Sequence, residues 1–312
     1  MEAQLPSPDE IGKASRLEDA NGRYIEYAKR ALSKDKTLNG LKVVVDCAHG
    51  AAYKAAPEVL WELGAEVIAV GTSPNGFNIN QECGSTQPSV AAETVVAHGA
   101  DLGICLDGDA DRVILIDETG AVADGDQIMG LFASRWAKEG RLKGNALVAT
   151  VMSNLGLERF LSDKGIGLER TNVGDRYVVE RMRSGGFNLG GEQSGHIVMT
   201  DYATTGDGLM ASLQFLAALV QSQKRASELS SVFEPVPQLL KNIRFQSGQM
   251  PLEDLSVKAE IARVEDELSG RGRLLIRKSG TEPLVRVMAE CEDEAVLNAS
   301  VDAIVSSIEA VL

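Results

Sequence analysis

The chain has 312 residues, of which 44% are hydrophobic and 24% charged, and its formal net charge is −14. This composition is typical of a globular protein long enough for two or three domains. An acidic chain without a basic run is a poor binder of nucleic acid or of an anionic membrane, so neither partner is expected. Four separated cysteines favour a reducing compartment, and we expect a cytoplasmic protein.

The first third of the chain has the pattern of an α/β domain. Residues 1–15, which are polar and contain two prolines, are expected to be a linker, and a helix is predicted over 16–32. Short apolar runs then alternate with helical segments. Strands are predicted at 41–46, 66–70 and 100–106, and helices at 51–63 and 90–98. Because strand–helix–strand units at this spacing form parallel sheets, these residues indicate an α/β domain.

The same order of elements recurs in the middle of the chain. Strands are predicted at 146–151 and 167–171, helices at 155–164 and 177–183, and a polar loop at 190–196. The repetition predicts an internal duplication at the scale of a whole domain. We expect Ser153 to cap the helix that follows it and Asp207 to cap a helix over 208–221.

A smaller third unit is predicted after the proline-containing segment 231–237. Its strands are expected at 239–245, 273–276 and 284–290, and its helices at 252–268 and 294–311. The predicted fold class is α/β, with two similar α/β domains that have mixed or parallel sheets, and a smaller C-terminal α+β domain. The predicted units are a linker remnant at 1–15, α/β domains at 16–117 and 118–234, and an α+β domain at 235–312.

The most informative segment is residues 107–112, D-G-D-A-D-R, directly after a predicted strand. Asp107, Asp109 and Asp111 are not easily gathered in so short a span unless a positive charge lies among them. A hard divalent cation meets this need, and Mg2+ suits a few carboxylates together with a phosphate oxygen. Arg112 adds a planar positive group suited to phosphate. The alternative is an inert acidic turn, but open α/β sheets bind ligands at this edge.

A second loop, residues 190–196, has the sequence G-G-E-Q-S-G-H. Its glycines allow a close approach of the backbone to a ligand, while Glu192, Ser194 and His196 suit the hydroxyl groups of a sugar. His196 could also move protons near neutral pH. A flexible hairpin with polar decoration remains open on these residues alone. Upstream, Arg176 could reach a substrate from a strand-to-helix turn.

A third loop, residues 277–283, has the sequence R-K-S-G-T-E-P, and Arg286 follows it. Two hydroxyl groups, a central glycine and flanking arginines favour phosphate binding, although S-G-T is also common in turns. The expected phosphate-binding residues are Arg277, Ser279, Gly280, Thr281 and Arg286.

Taken in order, the motifs D-G-D-x-D-R, G-E-x-S-G-H and R-x-S-G-T-E-P resemble those of the α-D-phosphohexomutase superfamily. The segments G-G-E-Q-S-G-H, N-V-G-D-R-Y-V and I-G-K-A-S-R look most like those of the bacterial enzymes that act on glucosamine phosphates. The resemblance extends from about residue 11 to the C-terminus. It implies a fold of four domains around a cleft, the first three α/β and alike and the fourth smaller.

The resemblance also implies an activity and a set of roles. Such enzymes interconvert glucosamine 6-phosphate and glucosamine 1-phosphate on the route to UDP-N-acetylglucosamine, so a hexosamine phosphate is the expected partner. By this resemblance Asp107, Asp109 and Asp111 would bind Mg2+, and Glu192, Ser194 and His196 would bind the sugar. The third loop would hold the phosphate that does not react. Arg112 and His196 are expected to support the chemistry.

Two features depart from the superfamily pattern. Ala110 stands where a glycine is usual, and the S-H-N-P motif that carries the phosphoserine nucleophile does not occur in these 312 residues. We therefore expect a chain equivalent to domains two to four, truncated at its N-terminus and without turnover. A non-catalytic hexose-phosphate-binding fragment and a mannose or glucose phosphate specificity remain open, whereas an aspartate-loop phosphatase is disfavoured. The residues do not indicate an oligomeric state.

Overall fold

Three sheets organise the chain, which is described by a computed structural model at residues 7, 9–246, 248–278 and 282–312. The strands are β1 (Lys42–Asp46), β2 (Glu66–Val70), β3 (Leu102–Leu106), β4 (Val113–Asp117), β5 (Val122–Ala123), β6 (Ala146–Thr150), β7 (Gly167–Thr171), β8 (Leu189–Gly191), β9 (Ile197–Met199), β10 (Gln238–Arg244), β11 (Gly272–Lys278) and β12 (Leu284–Cys291). The helices are α1 (Ala20–Ala28), α2 (Ala55–Glu62), α3 (Ser89–His98), α4 (Gly125–Lys138), α5 (Leu155–Asp163), α6 (Asp175–Gly185), α7 (Gly208–Ser222), α8 (Ala226–Ser230), α9 (Leu255–Leu268) and α10 (Glu294–Glu309).

The first sheet has the strand order β2-β1-β3-β4-β5. Strand β1 pairs in parallel with β2 and β3, and β4 runs antiparallel to β3. Strands β3 and β4 are buried along their whole length, which explains their continuous apolar sequences. The sheet also includes β5, which lies beyond the boundary expected at residue 117.

The second sheet repeats the arrangement of the first, with the order β7-β6-β8-β9. In each case the first strand of the unit lies between two parallel neighbours, and the fourth strand is antiparallel to the third. The predicted duplication is therefore confirmed. A loop with candidate site residues joins the third and fourth strands in both units, between β3 and β4 and between β8 and β9.

One hydrophobic core joins the first two units. Helices α4 and α7 are buried over most of their surfaces, including their small residues, and contact elements of both sheets. Asp207 caps α7 by accepting a hydrogen bond from the amide of Met210 at 2.8 Å, as predicted. This shared core holds the two loop-bearing sheets against each other.

The C-terminal unit has a separate core. Strand β12 lies between β10 and β11 in an antiparallel sheet, which α9 and α10 cover. The core consists of aliphatic residues from both layers, among them Val257, Val287, Val301 and Ile304. This arrangement confirms the smaller α+β unit predicted from the sequence.

Two expectations about local structure are wrong. The helix expected over 16–32 is limited to α1 and a following 3-10 turn, and Leu17 is 57% exposed because it finds no apolar surface to pack against. Ser153 does not cap α5. The cap is Asn154, whose side-chain oxygen accepts from the amide of Gly156 at 2.8 Å, while Ser153 is fully buried.

None of the helices in the described part of the chain combines the length and apolar character needed to cross a membrane.

Candidate functional site

The aspartate loop, residues 107–112, connects β3 to β4 at one edge of the first sheet. Asp107 is buried, Asp111 is half-buried and Asp109 is exposed. One carboxylate oxygen from each of the three lies within 4.8 Å of the others. Three converging carboxylates, one of them open to solvent, form a donor set that could hold a hard divalent cation.

The electrostatics of the aspartate loop also fit a cation. Burial raises the pKa of Asp107, and the charges of Asp111 and Asp109 raise it further, although the amide of Arg112 donates to its carboxylate at 3.1 Å. The Arg112 Nε atom lies 3.7 Å from Asp107 Oδ2 and 3.8 Å from Asp111 Oδ1. A single guanidinium therefore lies near two of the three carboxylates, and a bound cation would remove the remaining repulsion.

A neighbouring turn fixes the backbone of the aspartate loop. The amide of Ala51 donates to the carbonyl of Gly108 at 2.8 Å. A Cβ atom on Gly50 would lie 2.2 Å from the same carbonyl oxygen, so only glycine permits this approach. Ala110 has a φ of +62°, a left-handed conformation that is unfavourable for alanine. This position is the one where the superfamily usually has glycine.

The second loop, residues 190–196, lies directly against the aspartate loop. The amide of Val113 donates to the carbonyl of Gly195 at 3.0 Å, and Arg112 and His196 form an isolated antiparallel bridge. Gly195 has a φ of +92°, and a Cβ atom there would lie 2.1 Å from the carbonyl oxygen of Val113. The two loops are thus joined by backbone contacts between the first two units.

His196 is buried, with 3% of its surface exposed, and its imidazole faces the aspartate loop. Its Nδ1 atom lies 3.1 Å from Asp111 Oδ2. Gly206 packs against the ring, and the buried Nε2 atom has no hydrogen-bond partner among the described residues. The imidazole is therefore placed to orient a candidate metal ligand, and it is covered from solvent.

The other candidate sugar-binding residues differ in their surroundings. Glu192 is half-buried, and its Oε1 atom accepts from the amide of Gly174 at 3.0 Å. Ser194 is exposed. Arg176 is also exposed, and its guanidinium stacks on the ring of Tyr177 at 4.5 Å from the centroid. The turn before α6 is therefore linked to the second loop through Glu192.

Of the residues expected to bind phosphate at the third loop, the two flanking arginines lie in the described part of the chain. Arg277 on β11 and Arg286 on β12 are cross-strand partners. Burial lowers the pKa of Arg277 and the charge of Arg286 lowers it further, whereas the charge of Glu192 acts in the opposite sense. Glu192 and Arg277 therefore interact electrostatically, although they belong to different units. Three further expected residues lie outside the described part of the chain: Ser279, Gly280 and Thr281.

Comparison with known proteins places these three units in a family. The models of phosphoglucomutase/phosphomannomutase α/β/α domain II, α/β/α domain III and the C-terminal domain match residues 22–120, 124–236 and 240–307. A phosphoglucosamine mutase from Ruegeria sp. (strain TM1040) is 71% identical over 300 residues, which are 96% of this chain and 67% of that protein. The chain belongs to the phosphoglucomutase/phosphomannomutase family. It spans about two thirds of the length of such relatives.

Further relatives of this phosphohexomutase chain agree in sequence and fold. A phosphoglucosamine mutase from Paracoccus denitrificans is 69% identical over 302 residues, 97% of this chain and 68% of that protein. A phosphoglucomutase/phosphomannomutase family structure from Burkholderia thailandensis has a TM-score of 0.75 at 21% identity, covering 93% of this chain and 64% of that one. N-acetylphosphoglucosamine mutase from Aspergillus fumigatus, in complex with GlcNAc-6P and magnesium, gives 0.72 at 21% identity, with 93% and 66% covered. At such low identity these structures establish the fold.

Residues that the sequence patterns did not single out also contact the candidate site. Asp124 caps α4, and its other oxygen accepts from the side-chain amide of Gln193 at 3.1 Å. The amide of Gly125 donates to the carbonyl of Gln193 at 3.0 Å. The start of α4 therefore supports the second loop. An acidic residue before an apolar helix is a capping signal, but the contact with residue 193 depends on the packing of α4.

Proposed function

We propose that the chain is the metal- and substrate-binding part of a phosphoglucosamine mutase, which interconverts glucosamine 6-phosphate and glucosamine 1-phosphate. The names of relatives with 71% and 69% identity support this activity. The observation that carries the proposal is the meeting of the first two loops, which share backbone hydrogen bonds. The charge of Glu192 in the second loop also acts to raise the pKa of Arg277 beside the third.

In this proposal Asp107, Asp109 and Asp111 hold Mg2+. The ion supplies charge neutralisation for a phosphoryl group in a loose transition state. His196 keeps Asp111 oriented through its Nδ1 atom, and Arg112 adds a fixed positive charge beside the carboxylates. Both residues would thus support the chemistry without themselves exchanging the phosphoryl group.

The sugar and its distal phosphate are proposed to bind between the second loop and the C-terminal sheet. Glu192 and Ser194 would accept and donate hydrogen bonds to hydroxyl groups, His196 would close the loop behind them, and Arg176 would approach from the turn before α6. The proposed phosphate-binding residues are Arg277, Ser279, Gly280, Thr281 and Arg286. The arginines offer charge-assisted hydrogen bonds, and the remaining three are assigned from the sequence motif alone.

We expect this polypeptide by itself to bind substrate without turnover, because its 312 residues contain no S-H-N-P sequence. A mutase assay coupled to the consumption of glucosamine 1-phosphate, with a hexose bisphosphate present, measures this directly. Sustained turnover would show that another group in the chain exchanges the phosphoryl group. The proposed location is the cytosol, where the four free cysteines stay reduced.

Titration calorimetry with glucosamine 6-phosphate, with and without Mg2+, tests the binding function. Glu192→Gln should weaken binding by about tenfold or more, since a charged acceptor for hydroxyl groups is lost. Glu265→Gln is the matched control, because Glu265 is an exposed residue of α9. Absence of binding at millimolar ligand contradicts the proposal. Tighter binding of mannose 6-phosphate or glucose 6-phosphate would reassign the specificity.

A further inference from the structure

A buried ion pair connects the C-terminal sheet to the second unit. Arg273 on β11 contacts Glu290 on β12, and Glu290 is fully buried. The two remaining nitrogens of the guanidinium donate outward, Nη1 to the carbonyl of Val151 at 2.9 Å and Nη2 to that of Ser153 at 2.7 Å. We call residues 151–155, which run from the end of β6 to the first residue of α5, the docking segment.

The acid of the pair contacts the same segment. Both carboxylate oxygens of Glu290 accept from the amide of Leu155, at 3.2 and 3.3 Å. Arg273 therefore has a planar group whose donors meet one carboxylate and two carbonyls in fixed directions. A lysine has a single nitrogen and cannot make this set of contacts, although its charge is the same.

The docking segment is in turn fixed to the second loop. The amide of Asn154 donates to Asp126 Oδ2 at 2.7 Å, in the first turn of α4. The side chain of Asn154 also bonds both the amide and the carbonyl of Val236, at 2.9 and 3.0 Å, in the connection to the C-terminal unit. Gly125, at the start of α4, donates to the second loop. Hydrogen bonds thus lead from the second loop through α4 to the docking segment.

The strands that carry the ion pair also carry the candidate phosphate-binding arginines. Arg273 and Arg277 are four positions apart on β11, and Arg286 and Glu290 are four positions apart on β12. Residues at this spacing share a face of the sheet and lie roughly 13 Å apart along the strand. The contact with the docking segment therefore sets where Arg277 and Arg286 stand relative to Glu192.

We propose that Arg273, held by Glu290, is a positioning residue that aligns the phosphate-binding strands with the sugar-binding loop, so that one hexose phosphate contacts both. This proposal rests on the proposed function, which supplies the ligand. It predicts a specific difference between two ligands. A hexose phosphate needs both the second loop and the arginines, whereas inorganic phosphate needs the C-terminal sheet alone.

Calorimetry on the full chain tests this difference with Arg273→Lys. Its matched control is Arg271→Lys, because Arg271 is exposed in the same unit and bonds the carbonyl of Glu267. Arg273→Lys should weaken the binding of glucosamine 6-phosphate by about tenfold, corresponding to 1.4 kcal/mol. It should change the affinity for inorganic phosphate by less than about twofold. The control should change neither. Glu290→Gln provides a second variant if Arg273→Lys does not fold.

In the calorimetry, two outcomes overturn the proposal. An equal loss of affinity for both ligands would show general damage to the C-terminal sheet. No loss of affinity for either ligand would show that the contact of Arg273 does not position this sheet. If the wild-type chain does not bind glucosamine 6-phosphate, the proposed function fails, and small-angle scattering without ligand decides the positioning role. Arg273→Lys should then increase the radius of gyration relative to Arg271→Lys, and identical curves overturn the proposal.

Discussion

Replacing Asp126 with asparagine should make the stability of the protein less sensitive to pH. Asp126 is fully buried in the first turn of α4. Its Oδ2 atom accepts from the amide of Asn154, while Oδ1 has no hydrogen-bond partner among the described residues. Burial raises the pKa of Asp126 to about 7, and the charge of Asp124 adds to the effect. The ionised form is therefore unfavourable in the folded protein.

The size of the effect follows from the change in pKa between the unfolded and folded states. The pKa rises from 3.8 to about 7, a change of about three units. Each unit corresponds to 1.36 kcal/mol, so the full effect is at most about 4 kcal/mol. Between these two pKa values the folded protein binds more protons than the unfolded chain. The free energy of unfolding contributed by this group therefore decreases as pH rises through that window, with about 2.5 kcal/mol of the change between pH 5 and pH 8.

Asparagine preserves the shape and most of the contacts at this position. Its oxygen can accept from the amide of Asn154, and its NH2 group can donate to the hydroxyl of the buried Ser153, which lies beside this position. Urea unfolding at pH 5 and pH 8 measures the prediction. Between pH 5 and pH 8, the free energy of unfolding of the wild type should fall by about 2.5 kcal/mol more than that of Asp126→Asn. Asp266→Asn, at an exposed position of α9, is the control. Equal losses in all three proteins would refute the reasoning.

Three further changes concern the aspartate loop. Gly50→Ala should lower Mg2+ affinity by about tenfold to a hundredfold, because its Cβ would lie 2.2 Å from the Gly108 carbonyl oxygen. The control is Gly22→Ala, which should leave the affinity unchanged because a Cβ atom there would have nothing within 4 Å. Equal Mg2+ affinities of the two variants in a titration would contradict this prediction. Ala110→Gly should raise the free energy of unfolding, measured in urea, by about 0.5 kcal/mol. The reason is that relief of the strained left-handed φ outweighs the greater conformational entropy of glycine in the unfolded chain. A lower free energy of unfolding in the variant would contradict this. Asp109→Asn should reduce the stabilisation against thermal unfolding that Mg2+ provides. For the wild type this stabilisation is about 2.7 kcal/mol when Mg2+ is at a hundredfold excess over its Kd. If the variant keeps the full stabilisation by Mg2+, Asp109 is not a ligand.

Much of the fold could be predicted from the sequence because its signals are local. Short strands, most of them apolar, alternate with helices that end near glycines, and this order appears twice. Repetition of the order was enough to predict two similar units, and the strand orders confirm it. Helix ends were predicted less well. Residues 16–19 lack a packing surface, and the cap of α5 depends on which of two adjacent polar residues, Ser153 or Asn154, faces the helix.

The candidate metal ligands were likewise predictable, because Asp107, Asp109 and Asp111 lie within one short loop and converge through its local backbone. The contact of His196 with Asp111 and the burial of Asp126 were not, since each joins or encloses residues distant in the chain. Sequence spacing determines which groups share a turn. Which turns meet is determined only by the packing of α4 and α7 between the sheets. The hydrophobic effect that drives this packing is non-directional, and it depends on residues from every part of the shared core rather than on any one segment.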